Sequence, residues 1–180
     1  MKLLHFILII ICSIVSGHLF SQSTTGSKNV ALTLPLVTLM DIEPAGSISL
    51  DFTAPTEAGR AIINPTANTT KWINYTSAIT SGGASRKITA KLDTLIPGVN
   101  IMVQAGSASG AGGGTLGTSS GLITLSATAA TTIISGIGGA YTGNGTNNGH
   151  QLSITISPSN YTNLSASANN VVVITYTITE

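Results

Sequence analysis

The sequence predicts an all-β protein, an antiparallel β-sandwich behind an N-terminal signal peptide. Three observations carry this. About eight short apolar stretches, several of them strictly alternating, recur along residues 23–180 with Gly, Pro, Asn and Ser turns roughly every 8–15 residues. No amphipathic pattern of helical period persists for three turns. Only 7% of the 180 residues are charged, against roughly 25% in ordinary soluble proteins. Ser, Thr, Asn and Gly supply the polarity instead, a composition common in extracellular β proteins.

Residues 1–22 have the pattern of a secretory leader. Lys2 is followed by an apolar run, Leu3 to Val15, broken only by His5 and Ser13, and then by small residues Ser16, Gly17 and Ser21. A positive start, an apolar middle and a small-residue end specify cleavage, expected between Gly17 and Gln22. Cys12, the only cysteine, follows Ile11 in the middle of the run, which is the wrong place for lipidation. After cleavage the protein is expected to have no membrane span and no cysteine. Residues 23–180 are then a single domain held by its core and its sheet ladders rather than by disulfides.

Residues 22–28 read as a polar linker. In 29–40, Val30, Leu32, Leu34, Leu36 and Met40 share one parity, which predicts a strand; Pro35 makes it an edge strand or breaks it there, because proline cannot donate to a ladder. Residues 41–46 (DIEPAG) read as a turn. Ile48, Leu50 and Phe52 predict a strand over 47–53, and 60–63 a short one before Pro65. Trp72, Ile73, Tyr75 and Ile79 mark the next apolar stretch, with the lone tryptophan expected in the core. In 87–93, Ile88, Ala90 and Leu92 alternate with Lys87, Thr89 and Lys91, a strand with one wet face. Ile101, Val103 and Ala105 predict another. Residues 106–121, around GAGGG, are expected to be the least structured stretch. Short strands follow at 122–126, 133–142 and 151–156, with a turn at 143–149 and a loop at 158–169. The last stretch, 170–180 (NVVVITYTITE), alternates most clearly. Val172, Ile174, Tyr176 and Ile178 should face the core, with the opposite face at least half covered.

Composition also limits the chemistry. The seven basic residues include Lys2 of the leader; the other six balance the six acidic ones, so no basic field favours nucleic acid. His150 is the only histidine after the leader and is expected to be a solvated or hydrogen-bonded turn residue rather than a base. No G-x-S-x-G elbow nominates a serine to partner it. Asp41 and Glu43 share a parity but read as turn residues rather than as a facing carboxylate pair. The GGGTLG sequence at 112–117 matches a dinucleotide fingerprint only by glycine richness, since the residues after it are strand-like. No zinc ligand set is present, and the 143–149 loop has no carboxylate for calcium. The sequence therefore predicts a protein that is not an enzyme, with no catalytic, cofactor-binding or metal-binding residue and no cofactor.

The final VVVITYTITE, the alternating opening stretch from Val30 to Leu36, and Ile48-Ser-Leu50-Asp-Phe52 together resemble pilin-like and spore-coat-U-like secreted bacterial domains. The resemblance implies an immunoglobulin-like β-sandwich, export to the periplasm, cell surface or exterior, and assembly of surface fibres by lending a strand to a neighbour. The chain departs from many such domains in lacking their disulfide. The expected function is that of an exported structural or adhesive surface protein, a fibre, coat or pilus-like subunit. Residues 29–40 would close onto their own sandwich in an isolated chain and self-associate by strand exchange during surface assembly. The alternative is a secreted module that binds a glycan or another surface polymer through the 106–121 and 143–149 loops.

Overall fold

The computed structural model describes residues 25–168 and 170–180. The expected signal peptide and its cleavage site lie outside the described residues. The chain divides into two units between Leu34 and Pro35. Residues 25–34 contain no strand or helix, and Val30, Leu32 and Leu34 are more than four-fifths exposed.

The unit Pro35–Glu180 is built of antiparallel strands. They are β1 (Val37–Glu43), β2 (Asn68–Ala78), β3 (Arg86–Leu92), β4 (Val99–Ser109), β5 (Gly113–Ser119), β6 (Ile123–Thr124), β7 (Thr131–Tyr141), β8 (Gly149–Pro158) and β9 (Ile174–Thr179). A single turn of 3-10 helix at Tyr161–Asn163 interrupts the last loop. Every ladder is antiparallel. One half of the sheet runs β1-β2-β8-β4-β6 and the other β5-β7-β3-β9; they join where Thr76 pairs with Tyr141 and Ser77 with Ala140. The open sheet doubles over in a sandwich-like arrangement, with one face of each half turned inward.

The alternation read from the sequence produces that inner face. Ile88, Ala90 and Leu92 of β3 are fully buried, as are Val103 and Ala105 of β4 and Leu152 of β8. On β7 both Ile133 and Ile134 are buried. The register with β3 shifts there, from Ile88 opposite Ile134 to Thr89 opposite Thr132. The extra residue bulges, so two consecutive side chains reach the core.

The structure corrects several expectations. Strand β1 starts only at Val37, so most of 29–40 lies outside it, and β1 runs through Asp41 and Glu43, which were expected in a turn. The inward parity survives, since Met40 and Ile42 pack on the core. Residues 47–53 form no strand. Ile48 and Leu50 pack on the core, but only a single bridge, Thr53 to Ile63, pairs this segment. Alternation specifies a face to bury and not an edge to pair with. Stretch 106–121 is mostly strand rather than loop. The chain crosses from β4 to β5 at Gly110, whose φ of +88° suits glycine. Trp72 lies between core residues, half buried on the parity opposite Ile73, and is not a core residue.

The last strand differs in a way that bears on function. Val172, Ile174, Tyr176 and Ile178 turn toward the core but are only half buried, and Val173, Thr175 and Thr177 on the other face are exposed. The cause is position: β9 pairs with β3 alone.

Candidate functional site

Three places combine chemistry with position. The first is the seam where the two halves end in β1 and β9. Among the described residues no ladder joins these strands, and each has one paired neighbour. Arg86, buried at the start of β3, ties one end of the seam. Its Nη1 donates to Val37 O at 2.6 Å and Ser77 Oγ at 2.9 Å, and its Nη2 lies 4.0 Å from Glu180 Oε1. Beyond that tie the inward side chains are Met40 and Ile42 from β1 and Ile174, Tyr176 and Ile178 from β9, all half buried. The Tyr176 hydroxyl is buried without a hydrogen-bond partner, and burial pushes its pKa well above the usual tyrosine value.

The two edges differ in charge. β1 has Asp41 and Glu43 on its outward parity, whereas β9, reading ITYTIT, has no charged residue. Edge charges discourage pairing with another chain, and an uncharged β-branched edge invites it.

The second place is a shallow open cleft of about 390 Å³ on the outer surface, where β1, β2 and the end of β7 meet the 143–149 loop. Its floor follows from register. Leu39 pairs with Thr76, Thr76 with Tyr141, and Tyr141 with Gly113, and directly opposed residues share a face. Tyr75 and Ala140 point inward, so this row points out. Tyr141 is 56% exposed and Leu39 65%. A β-carbon on Gly113 would sit 3.2 Å from Cε1 of Tyr141, so the ring lies across the glycine. Asp41, Asn74 and Asn144 also line the cleft.

Asn148 fixes the loop above it. Its Oδ1 accepts from Ala111 N at 2.9 Å, its Nδ2 donates to Asn144 O at 2.8 Å, and its carbonyl accepts from Asn74 Nδ2 at 2.6 Å. The Asn74 side chain is buried, and its Oδ1 has no partner.

The third place corrects the sequence reading of His150. This residue is not a solvated turn residue: it is fully buried on β8, between Ala108 of β4 and Ile73 of β2. Its Nδ1 is 2.8 Å from Gly106 O, and a carbonyl only accepts, so Nδ1 bears a proton. Its Nε2 is 3.0 Å from the Tyr75 hydroxyl and 3.1 Å from Leu116 O. The Tyr75 hydroxyl donates to Leu116 O, and the Tyr75 and His150 rings stack at 5.9 Å. Burial raises the Tyr75 pKa well above its usual value. These groups pack on one another inside the core and join β2, β4, β5 and β8. Nothing in the sequence near His150 signals this, since its partners come from residues 75, 106 and 116.

The other weighed residues are dispersed. The 112–117 glycines belong largely to β5, and Asp41 and Glu43 point outward from an edge strand. Among the described residues, no group of three or more His, Cys, Asp or Glu side chains could hold a metal ion, and no helix is long and apolar enough to cross a membrane. Comparison with protein-family models, curated proteins and solved structures gives no match.

Proposed function

We propose that this chain is an exported structural or adhesive surface protein that assembles by strand addition, residues 29–36 of one copy pairing with the free edge of β9 in another. The observation that carries this reading is the complementarity of two features that are unpaired among the described residues. Val30, Leu32, Leu34 and Leu36 alternate along an unpaired segment and are 64–87% exposed. β9 has an uncharged edge whose inward side chains are not fully covered. A strand added there would pair the edge's free backbone groups and bury four apolar side chains.

Pro35 keeps residues 29–34 from folding back onto the edge of their own β1. To lie antiparallel beside its own β1, residues 29–34 would need a tight reversal at Pro35 and Leu36. The two-residue hairpin turns demand positive φ at the first position, and proline holds φ near about −65°. The carboxylates of Asp41 and Glu43 guard that edge as well. Export rests on the leader pattern of residues 1–22.

The test is size-exclusion chromatography of the exported chain over a range of concentrations, alongside the double variant Leu32→Asp, Leu34→Asp. The reading expects oligomers that grow with concentration in the parent and vanish in the variant. A variant lacking residues 23–36, which leaves β1 whole, should be monomeric and should bind a peptide of residues 29–36. A parent that stays monomeric throughout, with a truncation that ignores the peptide, would overturn it.

A further inference from the structure

We propose that the outer cleft around Tyr141 binds one sugar ring of a neutral, β-linked polysaccharide. This inference stands apart from strand addition, because no residue of β9 lines the cleft.

The floor matches the chemistry of a pyranose ring, which offers C–H groups on its faces and hydroxyls around its rim. Tyr141 supplies a flat surface. One side of its ring is backed by Gly113, the single residue type that lets the ring lie across that strand. More than half of Tyr141 remains open to solvent. Leu39, across Thr76 in the same cross-strand row, extends the apolar strip by one strand spacing. Polar groups border the strip: the Thr76 hydroxyl, the Asp41 carboxylate and the Asn144 amide can each meet a ring hydroxyl.

Charge and shape narrow the ligand. Asp41 is the one charged residue lining the cleft, and no lysine or arginine lines it. A uronate, sialate or phosphate would be repelled, whereas a neutral or N-acetylated sugar would not. The cleft is open and shallow, which suits a flat ribbon laid across it; β1,4 linkages between equatorial positions make such a ribbon. The loop wall is already fixed by the Asn148 bonds, so binding need not order it.

The test titrates cellohexaose and chitohexaose into the isotope-labelled exported chain and follows backbone amide resonances, with hexagalacturonate as the charged comparison. At least one neutral chain should shift resonances at 39–41, 74–76, 113 and 141–144, and the uronate should not. Tyr141→Ala should weaken binding about tenfold, the size of one good ring contact. Tyr141→Phe should keep most of it. Gly113→Ala, at a position without positive φ, should push the ring aside and weaken binding while the fold stays intact. No shifts with either neutral chain up to about 10 mM, well past the affinity of a weak single site, would overturn the proposal. So would shifts confined to another surface, a response to the uronate alone, or a Tyr141→Ala variant that binds like the parent.

Discussion

Replacing His150 with leucine tests whether this residue belongs to the core or to a turn. Leucine roughly matches the volume of imidazole, so the packing cost should stay below about 1.5 kcal/mol. The polar costs are larger. Gly106 O loses its donor inside the protein, which costs about 1–3 kcal/mol for a buried unsatisfied group. The stacking of His150 on Tyr75 is worth about 0.5–1.5 kcal/mol. Leu116 O keeps the Tyr75 hydroxyl as donor and adds little. The sum is a loss of about 1.5–6 kcal/mol, a large share of the roughly 5–15 kcal/mol that holds a domain folded. Urea unfolding of residues 23–180, followed by circular dichroism, measures it as a lower midpoint at constant slope. In a cycle with Tyr75→Phe the two losses should be non-additive by about 0.5 kcal/mol or more, since the side chains touch. A loss under about 0.5 kcal/mol, the range of ordinary surface substitutions, would refute the buried cluster.

Other outcomes follow from burial. Tyr75 and Tyr176 have pKa values raised by desolvation, so the folded state holds their protons more tightly than the unfolded chain does. Their contribution is complete below the unfolded tyrosine value of about 10 and is lost as pH rises above it. Urea midpoints attributable to these groups should hold steady up to about pH 9 and fall beyond about pH 10, and Tyr176→Phe should flatten the fall. A fall equally steep without both hydroxyls would assign it elsewhere. Ile88→Ala, in a fully buried site, should cost about 3–4 kcal/mol, whereas Ile174→Ala on half-buried β9 should cost about 1–2 kcal/mol. Equal losses would mean that β9 is as well covered as β3.

The elements that were legible are those whose alternation is matched by a partner on each side. Residues 87–93 and 151–156 give β3 and β8 almost as read, and Ile101, Val103 and Ala105 point inward as expected. The same alternation misled at 47–53 and at 29–36, because period 2 shows which side chains want cover and is silent about which edge provides it. Pro35 was the better guide, since β1 begins two residues after it. Stretch 106–121 was hidden by its glycines. Glycine lowers strand propensity, but here it lets β5 lie close against β7 and turns the chain from one half to the other. The cleft and the His150 cluster were illegible for one reason: each is assembled by register between strands 34–75 residues apart.

The central claim, that residues 29–36 of one copy pair with β9 of another, is tested most directly by crosslinking. Residues 23–180 contain no cysteine, so introduced thiols report on one contact. Copies carrying Thr33→Cys, on the outward parity of the segment, are mixed under oxidising conditions with differently sized copies carrying Val173→Cys, Thr175→Cys or Thr177→Cys. Paired strands bring opposed Cα atoms to about 4.5–5.5 Å, within disulfide reach. The account predicts a mixed disulfide between copies at one of these three positions, and none with Thr124→Cys on β6. Mixed disulfides that are absent at positions 173, 175 and 177 alike, or equally frequent at Thr124→Cys, would contradict it.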